Sequence, residues 1–272
     1  MIVQTAPAGE PRLAIMMYEH TALSHQFARS FGNDGFQPAD PNDLMFHVTL
    51  HHDAGWAEFD RDPPTDPKTD LPFNLVETPA AYIVATSRGS PDFNQRQHAF
   101  CGLLSSMHSW GLYNGRYGLS NMVLVNRFPP EDRPLVQEML DGELERQARL
   151  KTELADDPGT AAWLDERQLF QNYKQLQFFD LLALYFNRIH PNERGEVTFE
   201  HVPRDASEDA AVTIRPIEPD VYGLSPYPFG SKSAEFAFAG RHIMPGQQRQ
   251  GGWSRVLAAA PTVWEHFRLV AA

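Results

Sequence analysis

Two adjacent side chains, His52 and Asp53, offer the donor atoms that divalent transition metals accept in proteins. They follow the apolar stretch 45–50 and precede Gly55, and glycine is the residue type that most often comes just after a helix end. The spacing predicts that both donors lie in the last turn of a helix and face a cavity. An ordinary solvated helix end has the same local pattern, so the interpretation depends on donors elsewhere in the chain.

Asp180 is a carboxylate in an apolar environment. Residues 176–186 are apolar on nearly every helical face, which predicts a helix buried all round with this carboxylate inside the protein. A buried ionised carboxylate needs an opposite charge, hydrogen-bond donors or a metal ion. Two interpretations follow: a structural salt bridge, for example to Arg188, or coordination of the same ion as His52 and Asp53.

A histidine upstream of the doublet is a further candidate donor. Residues 18–31 have apolar side chains at helical spacing and are followed by Gly32, which predicts a helix that stops there. His20 lies close to the apolar face of this helix, and His25 is the alternative ligand on the same segment.

The order His20, His52-Asp53, Asp180 resembles the H…HD…D pattern of the HD superfamily of metal-dependent phosphohydrolases. Shorter motifs extend the resemblance over nearly the whole chain, toward one bacterial branch of that superfamily. These motifs are Glu19-His20-Thr21, His52-Asp53-Ala54-Gly55-Trp56, Leu104-Ser105-Ser106-Met107-His108 and Pro226-Tyr227-Pro228-Phe229. The chain departs from the branch at Glu19, Thr21 and Ala54, where Asp, Ala and an acidic residue are commoner, and none of these changes removes a ligand.

This resemblance implies a metal-dependent hydrolase that acts on a small, anionic, phosphorylated compound. His20, His52, Asp53 and Asp180 would hold a divalent ion, which is iron, manganese, zinc or nickel, and Asp53 would also serve as general base. The implied fold is mainly α, with an HD-domain-like helical core. A small antiparallel β appendage would be made by the N-terminal hairpin and the C-terminal strands.

Two further residues are predicted to act at this site. His108 falls near a helix end that opens into a glycine-containing loop, where it would serve as general acid or base or as ligand of a second ion. Arg116 lies in that loop and would neutralise charge on the phosphoryl oxygens. Two alternatives stay open: a di-iron oxygenase with His98 and His108 at the second iron, and a non-catalytic protein that binds a metal or another ligand.

Composition limits the function classes. The chain has 272 residues and a formal net charge of −12, without the clustered basic residues that a nucleic-acid footprint needs. Cys101 is the only cysteine, so no internal disulfide can form. Neither a membrane-spanning run nor a secretory leader is expected, and these features predict a cytoplasmic protein without nucleic-acid or membrane partners.

Two regions are predicted from the periodicity of the chain. Residues 1–195 form a helical domain that begins with a hairpin over residues 1–5 and 12–17, and residues 196–272 form the β appendage. Long helices are expected over residues 131–154 and 160–189, a short helix over 253–260, and strands over 197–202, 211–216, 235–240 and 262–269. The Pro- and Asp-rich residues 59–72 are predicted to be an irregular loop over the site.

Overall fold

One large, curled sheet carries the strands from both ends of the chain. The computed structural model describes residues 1–272, apart from the side chain of Gln250. It contains 50% helix and 21% strand, with seven strands in one mixed sheet, and the chain is therefore an α/β protein. The predicted mainly α fold with a small β appendage is wrong, because the N-terminal pair and the C-terminal strands join into a single sheet of seven strands.

Eight α-helices form most of the rest of the described chain. They are α1 (Met17–Ser30), α2 (Asn42–His51), α3 (Ala57–Arg61), α4 (Ala80–Gln97), α5 (Ala99–Tyr113), α6 (Arg133–Ala155), α7 (Glu166–Arg188) and α8 (Trp253–Ala259). The helices expected over residues 131–154 and 253–260 coincide with α6 and α8 to within two residues. The helix expected from residue 160 begins later, at Glu166, because a short 3-10 helix over Ala161–Leu164 precedes it.

Nine strands are present in the described residues. They are β1 (Ile2–Val3), β2 (Arg12–Ile15), β3 (Thr65–Asp66), β4 (Leu71–Pro72), β5 (Val197–Pro203), β6 (Asp209–Glu218), β7 (Val221–Ser225), β8 (Ser233–Ile243) and β9 (Thr262–Ala271). The large sheet has the order β1-β2-β8-β9-β7-β6-β5. All of its neighbouring strands are antiparallel except β7 and β9.

The sheet fixes the two helices on which His20 and Asp180 lie. Phe27 of α1 meets Phe236 of β8 with ring centroids 4.7 Å apart, and Phe186 of α7 stacks on Phe267 of β9 at 3.7 Å. These aromatic side chains belong to one buried cluster of helix and strand residues. Because each buried aromatic ring removes a large apolar area from water, the contacts hold α1 and α7 firmly side by side on the sheet.

Helix α5 is the centre of the remaining helical layer. It packs against α2, α4, α6 and α7, and most of its residues are buried. Glycine and serine at several α5 positions allow these neighbours to approach closely: a Cβ on Gly102 would lie 2.7 Å from the Cβ of Gln95. The result is a scaffold that places the C-terminal end of α2, the middle of α5 and the middle of α7 around one point.

The Pro- and Asp-rich residues 59–72 are more regular than predicted. They contain the end of α3 and the two-stranded sheet of β3 and β4. The side chain of Asp66 accepts a hydrogen bond from the Lys68 amide at 2.9 Å and so stabilises the turn between the strands. Asp70 pairs with Arg249, and Trp253 donates to the Thr65 hydroxyl at 3.0 Å, so this segment is fastened to the region just before α8.

Within the residues that the structure describes, no helix combines the length and apolar character needed to cross a membrane.

Candidate metal centre

The His52-Asp53 doublet lies just beyond α2, which ends at His51. Gly55 does not follow the helix end directly, as the sequence pattern predicts; α2 ends at His51, and Gly55 belongs to a 3-10 helix over Ala54–Trp56. Packing requires glycine at this position, because a Cβ there would lie 2.1 Å from the carbonyl oxygen of Thr86 in α4. The close approach of α4 therefore sets the position of the doublet.

His52 directs its Nε2 toward the carboxylates of Asp53 and Asp180. Its Nδ1 lies 2.8 Å from the carbonyl oxygen of Thr49, and since a carbonyl can only accept, Nδ1 carries the proton. In the neutral ring Nε2 then has a free lone pair. This buried atom has no hydrogen-bond partner among the described residues, and it lies 3.6 Å from Asp53 Oδ2 and 4.0 Å from Asp180 Oδ1.

His20 approaches the same point from α1. Its Nε2 lies 3.2 Å from Asp180 Oδ1 and 4.0 Å from Asp53 Oδ2, while its Nδ1 lies 2.9 Å from the side-chain oxygen of Asn187. Burial lowers the pKa of His20, but the hydrogen bond to Asp180 and the two carboxylate charges outweigh burial, so its pKa is raised. His25, the alternative ligand, bonds to the Phe46 carbonyl 3.1 Å away and is not part of the cluster.

Asp180 is buried on α7, as the apolar segment around it predicts. The partner it contacts is His20. Arg188 is exposed and forms no salt bridge with Asp180 in the described structure. Burial alone would raise the pKa of Asp180, but the hydrogen bond from His20 and the neighbouring histidine charges hold this pKa well below its usual range.

Asp53 is the most accessible member of the cluster, with 15% of its side chain exposed. Burial raises the pKa of its carboxyl group, although the charges of His52 and His20 act in the opposite direction. A carboxylate with a raised pKa is a better proton acceptor than an ordinary aspartate.

His108 enters from α5 and completes the cluster. Its ring centroid is 5.1 Å from that of His52, and its Nδ1 lies 2.6 Å from the amide nitrogen of Gln177 on α7. Burial and the charge of His52 lower the pKa of His108 to about 3. The ring is therefore neutral near pH 7. His98, considered as a second-iron ligand, instead accepts a hydrogen bond from the Phe100 amide at the start of α5 and lies outside the cluster.

The donor atoms form two overlapping groups. His20, His52 and Asp180 make one, and His52, Asp53 and His108 make the other; within each group the donor atoms lie within 4.8 Å of one another. Imidazoles with carboxylates suit divalent iron, manganese, zinc or nickel. The residues fit such an ion because the lone pair of His52 Nε2 faces carboxylate oxygens, an arrangement that is repulsive until a cation or proton lies between them.

Arg116 does not join this cluster. It lies in a separate pocket beside the cluster, together with Gln177, and its charge is close enough to contribute to the lowered pKa of His108. Asn187 and Gln177, which hold the rings of His20 and His108, were not predicted as site residues. Their positions on α7, near Asp180 on the same helix, are the signal from which they could have been inferred.

The fold and the site together define an α/β protein with a buried histidine–aspartate cluster between its helices. The chain belongs to a family described as "Protein of unknown function (DUF3891)", whose model matches residues 1–244. Comparison with curated proteins and with solved structures gives no significant match.

Proposed function

We propose that the protein is a metal-dependent hydrolase that acts on a small phosphorylated compound, in the manner of HD-type phosphohydrolases. His20, His52, Asp53 and Asp180 would hold the divalent ion. The observation that carries this proposal is the buried Nε2 of His52, which has no hydrogen-bond partner and is directed at two carboxylates. A buried polar atom without a partner is costly, and a cation at this point would satisfy the imidazole and both carboxylates together.

The residues around the ion have distinct proposed roles. When bound, the ion would supply positive charge that polarises a phosphoryl oxygen and makes a water molecule more acidic. Asp53, which is partly accessible and has a raised pKa, would accept the proton of the attacking water. Arg116 would neutralise charge that develops on the phosphoryl oxygens.

His108 would act as a neutral group. Because its pKa is lowered to about 3, it carries no charge near pH 7 and is a poor cationic general acid. Its Nδ1 accepts a hydrogen bond from the Gln177 amide, so in the neutral ring Nε2 carries the proton and can donate a hydrogen bond to the leaving oxygen. Gln177 fixes the orientation of the ring through the contact at Nδ1.

A di-iron oxygenase is the second candidate, and the number of clustered donors favours it. The two groups together offer three imidazoles and two carboxylates, and the two oxygens of a carboxylate can bind different ions. In this alternative His108 would be a ligand of the second ion, with the unpaired side-chain oxygen of Gln177 turned toward Nδ1.

Metal content of matched variants tests the proposal. Elemental analysis of the purified protein should find a transition metal in wild type and in His25→Gln, but less than one tenth of that amount in His20→Gln. Both histidines lie on α1, and His25 is bound to a backbone carbonyl outside the cluster. Full metal content in His20→Gln would contradict the assigned site.

Turnover and spectroscopy then separate the candidates. A panel of phosphate monoesters and nucleotides should yield inorganic phosphate with wild type and not with His20→Gln. Two irons per chain, an iron absorption band and no phosphate release would favour the oxygenase. Bound metal without either activity would identify a binding protein.

A further inference from the structure

A pocket of about 270 Å³ lies beside the histidine–aspartate cluster and has Gln177 in its wall. Its walls come from the loop after α5, one face of α7 and strand β5. The residues used in the argument below are Arg116, Lys174, Gln177, Phe178, Phe199 and His201. Phe178 and Phe199 give the pocket an apolar floor, and the basic side chains are arranged around it. A pocket of this size is at the small end of ligand sites in proteins.

Two strained backbone segments meet at this pocket. Four successive residues, Gly115 to Gly118, have positive φ angles of 64°, 52°, 58° and 89°, so they form a left-handed turn that contains Arg116 and Tyr117. Each non-glycine residue in this conformation costs about 1–2 kcal/mol. Strain of this kind persists where the surrounding structure enforces it, and it is concentrated at ligand sites.

The second strained segment is in β5. His201 has a φ angle of 60° and lies in a bulge where the pairing with β6 changes register between Phe199 and Val202. A bulge interrupts the alternation of side chains along a strand and redirects the extra residue. The bulge brings the His201 ring within reach of Asp209, with 3.8 Å between Nδ1 and Oδ2, and Asp209 also pairs with Lys174.

Basic side chains line three walls of the pocket, from the loop after α5, from α7 and from β5. Arg116 has no ion-pair partner among the side chains that the structure describes. Lys174 and His201 converge on one carboxylate, that of Asp209, which holds both of them at the pocket wall. Glu200 also lines the pocket, and Glu200 and His201 are both exposed residues of β5. An incoming oxyanion can share Lys174 and His201 with Asp209, which is itself only partly buried.

Gln177 connects this pocket to the cluster. It lines the pocket, its amide nitrogen contacts His108, and its buried side-chain oxygen has no hydrogen-bond partner among the described residues. Lys174 precedes Gln177 by three residues of α7, or about 4.5 Å along the helix axis. Gln177 is therefore the residue that the pocket shares with the contacts of the cluster.

We infer that this pocket binds a second acidic group of the substrate, so that the substrate class is a short organic phosphate with an additional carboxylate or phosphate. The inference rests on the proposed function in one respect: that function supplies the first acidic group, the phosphate that reacts. Lys174 and His201 would bind the second acidic group, and Phe178 and Phe199 would contact the carbon chain between the two groups.

Calorimetric titration with non-hydrolysable probes tests the inference. The probes are propylphosphonate, which has one acidic group, and 3-phosphonopropionate and propane-1,3-diphosphonate, which have two. At least one two-acid probe should bind wild type about tenfold more tightly than propylphosphonate, a difference of about 1.4 kcal/mol. Comparison of the carboxylate and phosphonate probes shows which acid the pocket prefers.

Variants of Lys174 and His201 give the decisive comparison. In the double variant Lys174→Met, His201→Asn the preference for two-acid probes should fall below about threefold, and asparagine is chosen because it tolerates positive φ. The control is Lys232→Met, His242→Asn, in which both residues are exposed and outside the pocket, and which should keep the tenfold preference. Equal affinities of wild type for all three probes, or an unchanged preference in the first double variant, would overturn the inference.

The binding ratio is independent of turnover. A tenfold preference for two-acid probes without any phosphate-ester hydrolysis would support the assignment of the pocket and refute the proposed phosphohydrolase activity. Hydrolysis without the preference would refute the pocket alone.

Discussion

Replacement of Gly55 by alanine should move the His52-Asp53 doublet. The added Cβ would lie 2.1 Å from the carbonyl oxygen of Thr86 and 2.7 Å from the amide nitrogen of Ser90, both backbone atoms of α4. Ordinary contact begins near 3.4 Å, so the segment must retreat from α4 by about 1 Å. Neither obstructing atom is the end of a flexible side chain, and the strain therefore falls on the backbone around Asp53.

The magnitude follows from two terms. Overpacking of this kind costs about 1–3 kcal/mol. The hydrogen bond from the Gly55 amide to the Ser90 hydroxyl, 3.0 Å long, would also weaken, at a cost of about 1 kcal/mol. The free energy of unfolding should fall by about 2–4 kcal/mol in total. Metal affinity should fall about 10–100-fold, because ligand positions tolerate only a few tenths of an ångström.

Chemical denaturation and metal titration measure these two effects. Gly142→Ala is the matched control, since a Cβ at this exposed position of α6 meets no atom within 4 Å. It should be neutral or stabilising by up to about 1 kcal/mol, with unchanged metal affinity. If Gly55→Ala behaves like Gly142→Ala in both measurements, α4 does not set the position of the doublet and the packing argument fails.

Three other perturbations separate the roles of charged groups. Asp53→Asn should remove bound metal while far-ultraviolet circular dichroism stays that of wild type, because Asp53 lies outside the helices; full metal content would exclude it as a ligand. In the metal-free protein, the free energy of unfolding should decrease as the pH falls from 6.5 toward 3. In the unfolded chain His108 binds a proton near pH 6.5, whereas in the folded state it binds one only near its lowered pKa of about 3, so acid favours the unfolded chain. His108→Gln should flatten this slope by up to about 1.4 kcal/mol per pH unit, and parallel slopes in the two proteins would contradict the assignment. Arg194→Met should destabilise the protein by about 3–5 kcal/mol in urea, because it leaves Glu265, bound at 2.6 Å, without its buried partner. Arg88→Met, which breaks an exposed pair, should cost less than about 1 kcal/mol, and equal losses would show that burial of the first pair is unimportant.

The grouping of the donor residues in one cluster could be predicted from the sequence, because their residue types are informative on their own. A carboxylate in an apolar helix needs a partner, and Asp180 indeed lies beside His20 in the structure. The preference for His20 over His25 also had a basis in the sequence, because five residues place the two side chains about 140° apart around a helix and His20 lies near the apolar face. In the structure His25 bonds to the Phe46 carbonyl, outside the cluster.

The reason for Gly55 was not visible in the sequence. A glycine after an apolar run has the local pattern of a helix stop, whereas the contact that requires it comes from α4, more than 30 residues later. The left-handed turn at Arg116 was hidden in a similar way. Gly115 and Gly118 indicate a turn, but nothing local reveals that the two residues between them share the same conformation.

The sheet was underestimated because strand pairing is non-local. Strand β7 escaped prediction since Gly223 interrupts its apolar pattern, and a short strand of this kind is stabilised mainly by its neighbours. The sequence pattern predicts the N-terminal strands and the C-terminal strands as separate, small local units. Their union depends on the pairing of β2 with β8, which lie more than 200 residues apart in sequence.

The position of β9 has a consequence for how the chain reaches its native state. This strand, Thr262–Ala271, lies in the middle of the sheet, between β8 and β7. Until it has been synthesised, the sheet can exist only as two separate halves, each with one long edge of unpaired backbone groups. Such edges pair readily with other chains. A nascent or truncated chain that lacks β9 should therefore aggregate through its half-sheets and depend on chaperones, even though every residue of the histidine–aspartate cluster is already present.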